Sequence, residues 1–238
     1  MTATGETIIL LTGFGAFPGA RSNPTAEIVR RLARSRRLAL LGVKVEARIL
    51  PVVYGLVEAE LRALIVETRP DVIIHLGLAG RRKALSVETR AVNRIGQLRP
   101  DAARRVSATS TVVAGGPAAR NSRWPHARLI AAMRATGTPV RASIDAGDYL
   151  CNQALYLTLG LTAAPAGFIH VPKVGASKSR LTRGGRIKST RAGVSLAMMA
   201  GAVEAAIVVM SVESRAGPLD PMAFAQHGPP PFAGSEIS

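Results

Sequence analysis

Short apolar runs separated by stretches with helical spacing constrain this chain more than any other feature. Residues 7–12 (TIILLT) and 71–76 (DVIIHL) are apolar segments that predict buried strands, and 43–53 contains a third with β-branched residues on alternate positions. Between them lie Ile28, Val29 and Leu32 at helical spacing behind a start at Asn23 or Thr25, and an amphipathic stretch over 56–67. Strand and helix alternating at this length predict an α/β fold: a mostly parallel sheet between two layers of helices. Farther along, the pattern predicts a helix over 126–135, a strand over 139–143, a helix over 149–159, a buried strand over 167–172 and a last helix over 190–213. A chain of 238 residues is enough for one good core. Residues 1–213 are therefore expected to form a single domain, and 214–238, rich in Pro and Gly, a mobile tail. Gly13-Phe14-Gly15 after the first strand invites a dinucleotide reading, but no third glycine opens the next helix and no acid ends the second strand, so that fingerprint fails.

The single cysteine, Cys151, lies in the stretch Asp145-Ala146-Gly147-Asp148-Tyr149-Leu150-Cys151-Asn152. Gly147 permits a tight turn and Asp148 is a good N-cap, which would place the thiol in the first turn of a helix. Unpaired N–H groups there favour a thiolate. Taken alone, a lone cysteine in an apolar helix is most often a small buried hydrophobe. The strand over 167–172 (GFIHVP) changes the balance by ending on His170, the residue type that pairs with a thiol as its base, and Glu88 could orient such an imidazole. His75, inside a strand, reads as a hydrogen-bonded core histidine, His126 as a solvated helix-start residue, and His227 as part of the tail. One Cys and four His without ligand spacing predict no metal and no cofactor.

These residues carry a resemblance. Residues 11–14 (LTGF) with Phe17 and Asn23-Pro24, 75–80 (HLGLAG), Glu88 with 91–93 (AVN), Ala146-Gly147 with Cys151-Asn152, and 167–172 follow one another in the order of one family. The chain resembles the pyroglutamyl peptidase I (pyrrolidone-carboxylate peptidase) family, cysteine peptidases with a phosphorylase/hydrolase-like fold that remove N-terminal pyroglutamate. The resemblance implies Cys151 as nucleophile, His170 as base then acid, and Glu88 as the residue that orients it. It implies a substrate pocket with Phe14, Phe17, Asn23, Tyr149 and Leu150 on its walls and the backbone at Leu78 holding the lactam, and it implies a homo-oligomer. Over 94–101 the chain departs from the family, so Arg99 matches a carbonyl-polarising arginine only with a one-residue offset. Asp145 and Asp148 stand where the family has Thr, and two carboxylates beside the thiol would oppose its ionisation.

A net charge of +16 is more than recognition of a small neutral group requires. Arg30, Arg31, Arg34, Arg36 and Arg37 cluster at the end of the first helix, and Lys178, Arg180, Arg183, Arg186, Lys188 and Arg191 populate an expected loop. A phosphate-tracking surface would look like this, but stacking aromatics are not interleaved, which favours a solvated basic surface with at most non-specific nucleic-acid contact. Two functions stay open: a cysteine peptidase acting through a thioester acyl-enzyme, or a catalytically weak member of the fold that binds polyanions. One cysteine and no basic leader predict a cytoplasmic protein, and the apolar run 194–210, interrupted by Gly201 and Glu204, is expected to fall short of a membrane span.

Overall fold

The first apolar run becomes β1 (Thr7–Phe14), buried along almost its whole length because it lies inside the sheet with helices on both faces. Asn23 caps α1 (Pro24–Leu32) by accepting from the Thr25 N–H, and Pro24 occupies the first helical position, where a missing N–H costs nothing. Helix α1 stops at Leu32, and Ser35 caps a separate short helix, α2 (Arg36–Leu40). The arginine cluster is thus divided between two helices, and Arg36 and Arg37 open α2 instead of closing α1. Next come β2 (Val43–Leu50), α3 (Tyr54–Thr68) and β3 (Val72–Leu78), as the alternation predicts. The computed structural model describes residues 5–17, 20, 22–175, 177–181, 187–191 and 193–216.

Two short strands that hydrophobic periodicity did not mark follow, β4 (Leu85–Glu88) and β5 (Arg90–Val92), and β6 (Ala119–Asn121) pairs antiparallel with β5. The segment between β5 and β6 is irregular but anchored. Asn93 accepts from Val113 N–H and donates to the carbonyls of Val113 and Gly116, while buried Asp101 accepts from the N–H groups of Tyr54 and Arg105. Then come α4 (His126–Ala135), β7 (Val140–Ser143), α5 (Leu150–Leu161) and β8 (Ala166–Val171). The expected basic loop contains an antiparallel pair, β9 (Ser177–Leu181) and β10 (Ile187–Arg191), with Arg183 and Arg186 outside the described residues.

Because β10 takes residues 187–191, the last helix, α6 (Leu196–Arg215), starts later than its apolar pattern suggested, at a Ser195 cap that accepts from Met198 N–H. At 20 residues it is long and apolar enough by composition to cross a membrane, contrary to expectation. Its buried face, including Met199, Val203, Ile207 and Met210, belongs to the core of this domain. The helix also carries through residue 215, so the expected tail begins no earlier than that; the rest of it, with His227, lies outside the described residues.

The six-stranded sheet has the order β2-β1-β3-β8-β4-β7, parallel except where β4 runs against β8. One apolar cluster fills the face covered by α1, α4 and α6, and another the face covered by α3 and α5, giving the expected three layers. The chain passes from β1 outward to β2 and back to β3 on the other side. The carboxyl ends of β1 and β3 therefore diverge into a crevice of the kind where open α/β sheets hold ligands.

Candidate active site

Three strand ends and one helix start meet at that crevice. A cavity of about 180 Å³ is bounded by Phe14 from β1, Leu78 from β3, His170 from β8, and Leu150 and Cys151 from the first turn of α5. It is smaller than the roughly 300–1,000 Å³ of pockets for drug-sized ligands and suits a single small ring. Every expected site residue except Glu88 lines it, and Glu88 lies fully buried behind His170.

His170 and Glu88 meet because β4 and β8 are antiparallel: Ser86 stands opposite His170 and Glu88 opposite Phe168, which makes Glu88 and His170 diagonal neighbours within reach of a long side chain. Nδ1 of His170 lies 2.7 Å from Glu88 Oε1. An ionised carboxylate only accepts, so Nδ1 carries the proton and Nε2 is the ring nitrogen left with a lone pair. Burial pushes the His170 pKa below 6.5, Glu88 pulling it up and the Arg82 cation pushing it down.

Cys151 is the second residue of α5 and keeps a partial opening to the cavity. The close approach of β3 shapes its surroundings. A Cβ on Gly77 would stand 2.5 Å from the Phe168 ring and 2.8 Å from Cys151 Sγ, so only glycine fits between nucleophile and sheet. The thiol pKa is pushed up to about 12, first by burial and then by the Glu88 charge, against the pull of Arg99, Arg82 and its own backbone N–H.

The expected cap is different in the structure. Tyr149, in extended conformation, is the N-cap residue of α5 and makes no side-chain cap bond. Gly147, at φ +83°, turns the chain so that the helix starts one residue later than Asp148 would allow. The Asp148 carbonyl accepts from Gly96 N–H at 2.7 Å, and its carboxylate lies against Gly96. Asp145 Oδ1 accepts from Gly147 N–H. Neither carboxylate is among the causes that raise the thiol pKa; the charge that does so is Glu88.

The side chains around the cavity pack on one another. The Phe17 and Tyr149 ring centroids are 6.0 Å apart, Phe14 stacks on Phe168 at 6.5 Å, and Tyr149 donates its hydroxyl to Pro100 O at 2.8 Å. The pairing of β3 with β1 ends at Thr12 and His75, so the end of β3 at Leu78 meets the cavity on that side, not a strand. Asn23 lines the cavity, but its amide serves the fold, accepting from Thr25 and donating to Gly15 O. Arg99 reaches the cavity with its guanidinium carbon 5.2 Å from the centre of the Tyr149 ring.

His75 is a core residue, between the hydroxyls of Thr12 at 2.7 Å and Thr158 at 2.9 Å, and burial drives its pKa down to about 3. His126 is not solvated as its position suggested. It is half-buried at the start of α4, and Nε2 has no hydrogen-bond partner among the described residues.

The residue that sequence reasoning missed is Arg82, on the loop after β3. Its Nη1 donates to Glu88 Oε1 at 2.5 Å and its Nη2 to Asp145 O at 2.6 Å, with the side chain 18% exposed. Its position just past the glycines at the carboxyl end of β3 was the available signal. No group of three or more His, Cys, Asp or Glu that could hold a metal ion occurs among the described residues.

A family model described as pyroglutamyl peptidase matches residues 7–213. The pyrrolidone-carboxylate peptidase of Pyrococcus furiosus is 36% identical over 171 residues, which cover 70% of this chain and 81% of that protein. That of Clavibacter michiganensis is 39% identical over 168 residues, 69% of this chain and 78% of its own. Among solved structures, the pyrrolidone carboxyl peptidase of Pyrococcus furiosus matches with a TM-score of 0.75 and 32% identity, over 87% of this chain and all of that one (100%). Pyroglutamyl peptidase I of Bacillus amyloliquefaciens matches with a TM-score of 0.73 and 27% identity, over 88% of this chain and 98% of that one.

Proposed function

The chain belongs to the pyroglutamyl peptidase family, and from that premise we propose how Cys151, His170 and Glu88 divide the work of its reaction. It is a cysteine-type hydrolase that removes N-terminal pyroglutamate from peptides. The observation that carries the division of labour is the 2.7 Å contact from His170 Nδ1 to Glu88 Oε1, which leaves Nε2 as the free base in the cavity that Cys151 shares.

With the thiol pKa raised and the imidazole pKa lowered, the resting pair near neutral pH is thiol and neutral imidazole, not an ion pair. Attack and proton transfer therefore go together. Cys151 Sγ bonds to the acyl carbon of pyroglutamate as His170 Nε2 takes the thiol proton and the carbonyl electron pair moves onto oxygen. The resulting oxyanion faces the unpaired N–H groups at the start of α5 and the Arg99 cation. Collapse breaks the C–N bond, the imidazolium gives its proton to the leaving amine, and a thioester remains. Water, deprotonated by Nε2, then releases pyroglutamate, and the thiolate takes the proton back. Glu88 holds the Nδ1 proton throughout and stabilises the imidazolium.

A five-membered lactam is neutral and offers one N–H and one C=O, so flat apolar walls at Phe14, Phe17 and Tyr149 and backbone groups at Leu78 suit it. Arg99 and Asp145 line the same cavity. A free thiol nucleophile works in reducing surroundings, so we place the protein in the cytoplasm, as a homo-oligomer on the strength of the family resemblance. Any nucleic-acid contact drawn by the charge of +16 is non-specific and salt-sensitive.

The test is hydrolysis of a pyroglutamyl fluorogenic amide beside the matching prolyl amide. Cleavage of the first and not the second is the expected result. Cleavage of neither would instead support a weak member of the fold that acts by binding.

A further inference from the structure

We propose that Arg82 is a positioning residue for this reaction, a fork that holds the acid behind the catalytic histidine and the loop that carries the nucleophile in one register. The inference rests on the assignment of Cys151, His170 and Glu88 above and extends it.

One guanidinium reaches both parts. Nη1 donates to Glu88 Oε1 and Nη2 to the carbonyl of Asp145, while the Arg82 N–H itself is held by Ala79 O at 2.9 Å. The loop from Asp145 leads through the turn at Gly147 directly into Cys151. Arginine suits such a site because its planar fork meets two acceptors at once, whereas an ammonium group is a point charge on a flexible stem.

The choice of oxygen matters as well. Arg82 and His170 share Glu88 Oε1, whereas buried Oε2 has no partner among the described residues. The cation thus sits on the oxygen that accepts from His170 Nδ1 and leaves less negative charge there to stabilise an imidazolium, so His170 rests as a neutral base. A bridge that served stability alone would tie Glu88 to the loop without affecting when His170 titrates.

The test compares Arg82→Met and Arg82→Lys with the wild type, measuring kcat and KM for a pyroglutamyl amide across pH, with thermal unfolding as a check on the fold. Arg82→Met is expected to lose about 10²-fold in kcat with little change in KM, the scale of a small misplacement of reacting groups. Its acidic limb should move to higher pH, because the imidazole becomes easier to protonate, and millimolar guanidinium should restore part of the lost rate. Arg82→Lys should keep the acidic limb near its wild-type position and recover only part of kcat.

A wild-type pH profile and kcat in Arg82→Met would overturn the proposal, as would a rate loss with an unmoved limb and no rescue. Should Arg82→Met fail to fold, Arg82→Lys carries the test: a wild-type kcat in that variant contradicts the fork. His170→Ala measured alongside separates the two levels. If it keeps its turnover, the underlying catalytic assignment has failed; if it is inactive, the Arg82 results bear on the fork alone.

Discussion

At the scale of single residues, the thiol and the imidazole are displaced in opposite directions by the same dry surroundings. Burial raises Cys151 to about 12 and lowers His170, so the acidic limb of kcat/KM reports protonation of His170. A base with a lowered pKa stays neutral until the pH falls below its ordinary value. We expect the limb to lie below pH 6.5 in a kcat/KM profile, with activity lost as pH falls through it. A second prediction separates the carboxylates. Glu88→Gln removes the charge that opposes the thiolate, so iodoacetamide alkylation of Cys151 should show a lower apparent pKa even as turnover falls. Asp148→Thr should leave that value unchanged, since its carboxylate lies against Gly96. Cys151 stood out as a candidate because only one cysteine is present, whereas His170 and Glu88 were singled out by their place in blocks that resemble one family. Arg82 was not, because it is one among 31 basic residues and only the fold selects it.

At the scale of elements, the site depends on how closely β3 passes behind the helix that carries the nucleophile. Gly77→Ala places a methyl group inside contact distance of both Phe168 and Cys151 Sγ. Because Phe168 is fully buried and cannot swing away, urea unfolding should show a loss of about 1–3 kcal/mol. The assay should show at least a tenfold drop in kcat, since the sulfur must shift; unaltered values in both would refute this account of the close approach. Long elements were readable because burial on both faces leaves continuous apolar runs, as in β1 and β3. The reversed strand β4 was hidden, since a four-residue segment carries too little periodicity and its place is decided by β8 and β7 on either side. The start of α5 was misplaced because cap preference is local, whereas the Gly147 turn and the Gly96 contact are set by the loop around them.

For the whole molecule, one consequence follows from a histidine that takes no part in catalysis. His75 is buried neutral with a pKa near 3, against 6.5 when solvated. The unfolded chain therefore binds a proton that the folded chain refuses between those values. Stability present above about 6.5 is lost as pH falls toward 3, at up to about 1.4 kcal/mol per pH unit from this group. Unfolding free energies measured against pH should show a shallower decline in His75→Gln than in the wild type. The central claim, though, is that the fold brings Cys151 to the cavity as the nucleophile, and the most direct measurement is kcat/KM of Cys151→Ala on a pyroglutamyl amide. With the unfolding midpoint near that of the wild type, the account predicts a loss of about 10³-fold or more. A folded Cys151→Ala protein that turns over at the wild-type rate would contradict it.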